Sequence, residues 1–421
     1  MRRNYSKNTA DLYEKQGGFM KIAVLGYGTI GSGVVEALDK NKEIITKHAG
    51  DEISVKYVLD LREFPGSSIE DILVHDFSMI ATDEEVGCVV ETMGGVEPAY
   101  SYVKECLLRG KSVCTSNKEL VAKHGAELIE IARQKKVNFL FEASVGGGIP
   151  IIRPLNQSLT SDEILEISGI VNGTTNYILT KMSQEGETFE ASLKSAQQLG
   201  YAERHPEADV EGYDAGRKLA ILTSLAYGMQ VDYEDIYMEG ITKVTDIDFK
   251  YAKVLNAEIK LLATEKKNGT NIYAMVTPKM IRDNNPLFSV RGVFNSILVK
   301  GNLLGDTMFY GSGAGKLPTA SAVVSDVIDA VKHNGTHISI IWSSKKLALS
   351  DRMDAESGFF VRVPETEVDK AKELFGEVEE VSAGITGEFA FVTKKMSERD
   401  FAEKAEQITI LNRIRTEFCA E

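Results

Sequence analysis

Asp214 and Lys218 stand four residues apart at the head of an apolar stretch, LAILTSLAYG. On a helix that spacing puts both side chains on one face. An exposed Asp-x-x-x-Lys is ordinarily a surface ion pair of little consequence. Here the apolar continuation predicts a buried helix, and charges at its start then line a cleft or carry a heavy desolvation cost. Arg217 stands beside them. Glu203 and Asp209 precede them, in a loop bounded by Gly200 and Pro206. A lysine among carboxylates can donate a proton, or act as a fixed cation, to an oxygen that gains negative charge.

The second chemical feature is KIAVLGYGTIGSG, which sets Gly26, Gly28 and Gly31 in G-x-G-x-x-G spacing. The motif follows an apolar strand and opens a helix, the context a dinucleotide site requires. Gly26 permits the tight turn, Gly28 lets a pyrophosphate approach the backbone, and Gly31 lets the helix pack closely on the strand. Tyr27, Thr29 and Ile30 complete the turn, and the N–H groups of the helix start supply a positive field. The next strand ends at Asp60, followed by Arg62. An acidic residue here binds a ribose 2′-hydroxyl and favours NAD, whereas Arg62 can meet a 2′-phosphate and favour NADP. The two can also pair with each other, so both cofactors stay open. GSGAGKLPT, at Gly311 to Thr319, is not a nucleoside-triphosphate loop. Only three residues separate Gly311 from Gly315-Lys316, and Leu317 replaces the required Ser or Thr.

These groups need elements to carry them. From Lys21 to about Pro150, short β-branched runs alternate with helical stretches: KIAVLG, ISVKYVLD, CVVETMG, SVCTSN and VNFLFEAS as strands, TIGSGVVEALDKNKEIITKH, AYSYVKECLLRG and KHGAELIEIARQKK as helices. Such alternation predicts a parallel sheet with helices on both faces. From Ile151 to Tyr310, helical PIIRPLNQSL and FEASLKSAQQLG mix with strands ILEISGIVNG, NIYAMVTPKM and SILVKGN, as in an α+β domain. A long helix with Pro318 near its start follows. The last ~70 residues read strand, helix, two strands, helix, strand, a ferredoxin-like order. The expected division is a flexible extension at 1–19, with Met20 an alternative start, a dinucleotide-binding domain at 20–150 completed by 311–340, a catalytic and dimerisation domain at 151–310, and a small module at 350–421.

Composition narrows the partners. The 421 residues carry 62 acidic against 48 basic side chains, a net charge of −14, which argues against nucleic acid or an anionic membrane surface. No apolar run approaches the ~20 residues of a membrane span, and the polar N-terminal segment lacks the core of a signal peptide. Cys88, Cys106, Cys114 and Cys419 show no paired spacing and read as reduced thiols of a cytoplasmic protein. Six scattered histidines predict no catalytic transition metal.

The segment from Ala196 resembles the signature of homoserine dehydrogenase: Ala196, Gly200, Tyr201 and Ala202, then Pro206, then Asp209, Gly212, Asp214 and Lys218. His205 departs from the polar residue usual before the proline. TSNKELVAKHG, FEASVGGGIPII, GIVNGTTNYILTKM and GSGAGKLPTASAVVSD resemble other family segments in order, so the resemblance covers about Lys21 to His337. It implies a fold of class α/β, with a Rossmann-type domain, an α+β catalytic domain and an ACT-like module. It implies reversible, NAD(P)-dependent interconversion of L-homoserine and L-aspartate 4-semialdehyde in threonine and methionine biosynthesis. By carry-over Lys218 is the proton donor and Lys118 a second cation, while Glu203, Asp214, Asp209 and Tyr201 bind and orient substrate. Thr92, Gly94, Lys118, Gly200 and Gly315 join the cofactor set, and Glu142, Val145, Gly147 and Ile149 resemble a structural sodium (Na+) site. After FFVRV the family's Asp-x-Pro-Gly is replaced by Pro364-Glu365-Thr366-Glu367, which argues against amino-acid feedback and for packing or dimerisation. A homodimer or higher homo-oligomer is expected. The competing readings are another carbonyl reductase acting on an amino-acid derivative, and a non-catalytic NAD(P) sensor.

Overall fold

The computed structural model describes residues 19–420. The extension read at 1–19 falls, but for Phe19, outside them. The chain forms two compact units: one runs to Leu120 and includes Glu127–Ala143 and Gly315–Ser339, and the other comprises Val121–Ala126, Ser144–Ala314 and the chain from Ile340.

The first unit holds six parallel strands, β1 (Phe19–Leu25), β2 (Glu52–Leu59), β3 (Leu73–Val74), β4 (Val86–Glu91), β5 (Ser112–Thr115) and β6 (Phe139–Leu140). Their order is β3-β2-β1-β4-β5-β6, so the winding reverses between β1 and β4, where doubly wound sheets bind nucleotides. Ile22, Ala23, Val24 and Leu25 are fully buried, as a central parallel strand covered on both faces must be. Its helices are α1 (Thr29–Lys40), α2 (Lys42–Ala49), α3 (Phe77–Thr82), α4 (Ala99–Leu108), the greater part of α5 (Lys118–Lys135), and a later helix, α11 (Lys316–Lys332).

Two expectations need correction here. The single helix read from Thr29 is two helices, because Asn41 (φ −112°, ψ 23°) ends one and starts the next. Its N–H donates to Ala37 O at 3.1 Å and its carbonyl accepts from Ile45 N at 2.9 Å, so its backbone closes one helix and opens the next without a side-chain cap. The strand VNFLFEAS shrinks to Phe139–Leu140, since Glu142–Ser144 coils into a 3₁₀ turn whose Glu142 N–H donates to the Asp326 carboxylate at 2.8 Å.

The second unit is built on a mixed sheet containing β7 (Ile164–Ile170), β10 (Ala257–Asn268), β11 (Asn271–Arg282), β12 (Phe294–Gly301), β13 (Gly305–Ser312) and, from the C-terminal segment, β15 (Glu356–Pro364), β16 (Glu379–Val381), β17 (Glu388–Val392) and β19 (Asn412–Thr416). The order is β13-β12-β7-β10-β11-β19-β15-β17-β16. Short strands β9 (Tyr237–Met238) and β18 (Met396–Ser397) pair with β11 and β15, while β8 (Met229–Gln230) and β14 (Ser343–Lys346) pair with each other as a separate two-stranded sheet. The helices are α6 (Gly173–Glu185), α7 (Phe189–Gln198), α8 (Glu207–Val210), α9 (Tyr213–Tyr227), α10 (Asp246–Val254), α12 (Val368–Phe375) and α13 (Glu398–Ala405). PIIRPLNQSL forms a widened π turn at Pro154–Ser158.

The C-terminal segment keeps the ferredoxin-like order and a core of its own, with Phe359, Val361, Phe375, Phe391 and Phe401. It does not stand apart. β19 continues the main sheet through parallel pairing with β11, Lys279 opposite Arg415. Buried Arg415 binds Glu398 at 2.8 Å and Glu239 at 2.7 Å, and buried Arg362 binds Asp248 at 2.7 Å and Glu388 at 2.8 Å. Charges so placed hold together only as complete sets.

All four cysteines are free. Among the described residues no helix is long and apolar enough to cross a membrane, and no cluster of three His, Cys, Asp or Glu side chains could hold a metal ion.

Candidate functional site

The dinucleotide turn is built as its glycines require. Gly26 sits at φ 92° and donates to Leu59 O at 2.8 Å. A Cβ on Gly31 would lie 1.9 Å from Gly26 O, so only glycine fits, whereas a Cβ on Gly28 would meet nothing within 4 Å, leaving open space over the backbone. Thr29 and Ile30 are the first residues of α1. Thr92 pins the turn, its hydroxyl donating to Gly26 O at 2.9 Å and Leu25 O at 3.1 Å. Gly94 and Gly315 both have positive φ, and Gly315 caps α11. Within this unit α11 crosses α1 closely at Gly33, where a Cβ would be 2.7 Å from Lys316 O.

Asp60 and Arg62 do pair. Arg62 donates from Nε to Oδ1 at 3.0 Å and from Nη2 to Oδ2 at 2.9 Å, and the Tyr27 N–H donates to Oδ2 at 2.7 Å. The guanidinium and these N–H groups hold the Asp60 carboxyl far below the usual carboxylate range, against the opposing effect of burial. The Arg62 side chain remains mostly exposed, and its guanidinium lies 5.1 Å from the Phe64 ring. Lys118 is the first residue of α5, directly after the N-cap Asn117.

The acidic cluster belongs to the second unit. Asp214 and Lys218 share one face of α9, with Lys218 Nζ 2.7 Å from Asp214 Oδ2 and 2.7 Å from Val171 O. Both side chains are largely buried, so this is no surface pair. Asn172, which follows β7, donates from one Nδ2 to Asp209 Oδ1 at 2.7 Å and to Asp214 Oδ2 at 2.9 Å. Its Oδ1 caps α6, accepting from Thr175 N at 2.9 Å. The chain thus brings Asp209, Asp214 and Lys218 together through a residue that the sequence reading left out of the site. Gly212, at φ 86°, turns the chain into α9, and a Cβ on Gly216 would be 2.3 Å from Met238 Sδ, which presses the helix onto its neighbour.

Other expected residues fall around this core. Asp209 is not in a loop: it lies in the one-turn helix α8. Glu203 is exposed, and its carbonyl accepts from Gln197 Nε2 at 3.0 Å. No hydrogen bond links its carboxylate to the Lys218 cluster among the described residues. The Tyr201 carbonyl accepts from Thr174 Oγ1 at 2.5 Å, and its ring meets Tyr177 edge-on at 5.1 Å. Gly200, at φ 75°, follows α7. Of the cation set, Glu142 is buried in the first unit, and Val145, Gly147 and Ile149 belong to the second, with Gly147 at φ 58°. Beyond Asn172, the sequence reading missed Glu91, a fully buried carboxylate at the end of β4. A signal existed for Asn172: Asn-Gly-Thr-Thr after an apolar strand is a helix N-cap pattern.

Comparison with known proteins bears on the family of the chain. Residues 150–328 match the family model for homoserine dehydrogenase, and residues 26–142 match the model for the homoserine dehydrogenase NAD binding domain. The chain is 42% identical over 317 residues to the homoserine dehydrogenase of Bacillus subtilis, covering 75% of this chain and 73% of that one. The chain belongs to the homoserine dehydrogenase family. The Synechocystis homoserine dehydrogenase is 47% identical over 317 residues, covering 74% of this chain and 73% of its own. Among solved structures, a homoserine dehydrogenase from Thiobacillus denitrificans superposes with a TM-score of 0.87 at 32% identity, over 96% of this chain and 99% of that one. A hyperthermophilic archaeal homoserine dehydrogenase in complex with NADPH superposes with a TM-score of 0.65 at 28% identity, over 74% and 98%. The first of these likenesses spans the C-terminal module too.

Proposed function

We propose that the chain catalyses the reversible NAD(P)-dependent interconversion of L-homoserine and L-aspartate 4-semialdehyde. The observation that carries this reading is the Lys218 ammonium, buried and held by Asp214 and the Val171 carbonyl. In the reduction, a hydride reaching the aldehyde carbon leaves negative charge on its oxygen. Lys218 stabilises that charge and delivers a proton, and it takes the proton back in the oxidation. Asp214 fixes the ammonium, and Asn172 fixes Asp214 and Asp209. Glu203, Asp209 and Tyr201 are assigned to the substrate, with Glu203 suited to its ammonium group. Lys118 is assigned the second cation.

The Gly26–Gly31 turn, with Thr92, Gly94, Gly200 and Gly315, would hold NAD(P), and the nicotinamide, when bound, supplies or accepts the hydride. The open space over Gly28 suits a pyrophosphate. Arg62, exposed while already bonded to Asp60, suits a ribose 2′-phosphate without excluding the hydroxyl. The hard oxygen of Glu142 and carbonyls of Val145, Gly147 and Ile149 would suit sodium, in a structural role.

Exposed Phe294, Met308 and Tyr310 on the β12–β13 hairpin support a homodimer. Free cysteines, three of them buried, support a cytoplasmic location. The test is steady-state oxidation of L-homoserine by the purified chain with NAD and NADP separately. Turnover with either supports the reading, and none with both, in protein that binds the cofactors, would leave an NAD(P) sensor.

A further inference from the structure

Glu91 ends β4, the strand paired with β1 on one side and β5 on the other. Its carboxylate is fully buried, yet every bond made to it is donated. Thr115 Oγ1 donates to Oε2 at 2.5 Å, Met93 N to Oε1 at 2.7 Å, and Gly94 N to Oε1 at 3.4 Å. The two backbone N–H groups need an accepting oxygen in either protonation state, and only Thr115 Oγ1 could accept from a protonated carboxyl. Burial pushes the carboxyl up, and the donated bonds oppose it.

The bonds close a ring. Asn117 N donates to Thr115 Oγ1 at 2.9 Å, Asn117 Nδ2 donates to Gly95 O at 2.6 Å, and Gly95 adjoins Gly94. Asn117 Oδ1 then accepts from Leu120 N at 3.1 Å and starts α5, whose first residue is Lys118. Burying an acid costs stability unless hydrogen bonds compensate it. Here they fix two turns at the C-terminal ends of adjacent strands.

We propose that Glu91 is a positioning residue for the reaction: it locks the Thr92–Gly95 turn to the Thr115–Lys118 turn and so sets the direction in which Lys118 enters its helix. The proposal rests on Lys118 acting as a cation of the reaction. Misplacing a reacting group by about 1 Å can cost on the order of 100-fold in rate. The ring includes Gly94 and adjoins Thr92, which pins the Gly26 turn, so cofactor affinity should follow the ring as well.

The experiment compares Glu91→Gln, Thr115→Val and Lys118→Met. The readouts are kcat, the deuterium isotope effect with homoserine deuterated at the carbinol carbon, and the cofactor dissociation constant. A glutamine offers only one accepting oxygen to donors that now use two. The expected result for Glu91→Gln is a kcat lower by roughly 10- to 100-fold. Its isotope effect and its cofactor dissociation constant should both rise toward those of Lys118→Met. Thr115→Val should show the same pattern more weakly, and it decides the matter if Glu91→Gln does not fold. Wild-type kcat and isotope effect in the folded variants, with Lys118→Met impaired, would overturn the role of Glu91. A fully active Lys118→Met would instead remove Lys118 from the reaction, and the proposal with it.

Discussion

Replacing Asn172 by alanine separates two jobs that one side chain performs. The carboxamide caps α6 through Thr175 N and joins Asp209 to Asp214 through Nδ2. Losing an asparagine cap costs about 1 kcal/mol. Each hydrogen bond to a charged acceptor contributes about 1.5–3 kcal/mol, and less for Asp209, which is only half-buried. Together the loss is about 3–5 kcal/mol, read as a lower denaturation midpoint of the second unit in urea. The catalytic consequence differs in kind. With Asp214 no longer held, Lys218 keeps its partner but loses its aim, so kcat/KM for homoserine should fall roughly 10- to 100-fold. The cofactor KM should not move, because Asn172 lies outside the dinucleotide unit. Asn172→Asp should restore the cap without restoring activity, since it sets a third carboxylate beside two others. If Asn172→Ala keeps wild-type kcat/KM and loses only about 1 kcal/mol, Asn172 is a cap and the network argument fails.

Other expectations follow from single contacts. Gly31→Ala puts a Cβ 1.9 Å from Gly26 O and should abolish tight cofactor binding, seen as loss of NADPH fluorescence enhancement. Arg62→Gln should raise the KM for NADP at least about tenfold while sparing NAD, as loss of a charged phosphate contact implies; equal effects on both would show that Arg62 serves only Asp60. Burial pushes the Glu265 carboxyl up to about 7 from 4.5, and one of its oxygens has no hydrogen-bond partner. The folded state therefore holds this proton more tightly than the unfolded chain, and its stabilising contribution is full below pH 4.5 and is lost as pH rises through 7. Glu265→Gln should flatten the decline of Tm between pH 5 and 8, and an unchanged slope would count against it. Arg415→Met leaves buried Glu398 without its cation, while Glu239 keeps Arg413, and should cost about 3–5 kcal/mol, checked by urea denaturation.

The parts legible in the sequence were those with one local cause. The Gly26–Gly31 turn, the apolar parallel strands and the α9 face with Asp214 and Lys218 each follow from a spacing that a few residues define. β10 was not legible. Its twelve residues include buried Lys260, Glu258 and Glu265, so the alternation expected of a half-buried strand is absent. Lys260 is tolerated because Nζ donates to Val290 O at 2.6 Å, a partner thirty residues away in sequence. Asn172 and Glu91 were missed for the same reason. Their partners, at Asp209 and Asp214 and at Thr115, come from other elements; the N-cap pattern at Asn172 announces its cap but not these bonds. The break at Asn41 shows the converse: a lone asparagine between two lysines was readable as a cap but was passed over inside a long amphipathic run.

The central claim is that Lys218 moves the proton that accompanies hydride transfer. Its most direct test is the steady-state oxidation of L-homoserine by wild type and Lys218→Ala, with folding checked by circular dichroism and cofactor binding by fluorescence. The account predicts a kcat lower by at least ~100-fold in the variant, with cofactor binding intact. A folded Lys218→Ala that turns over at the wild-type rate would contradict it.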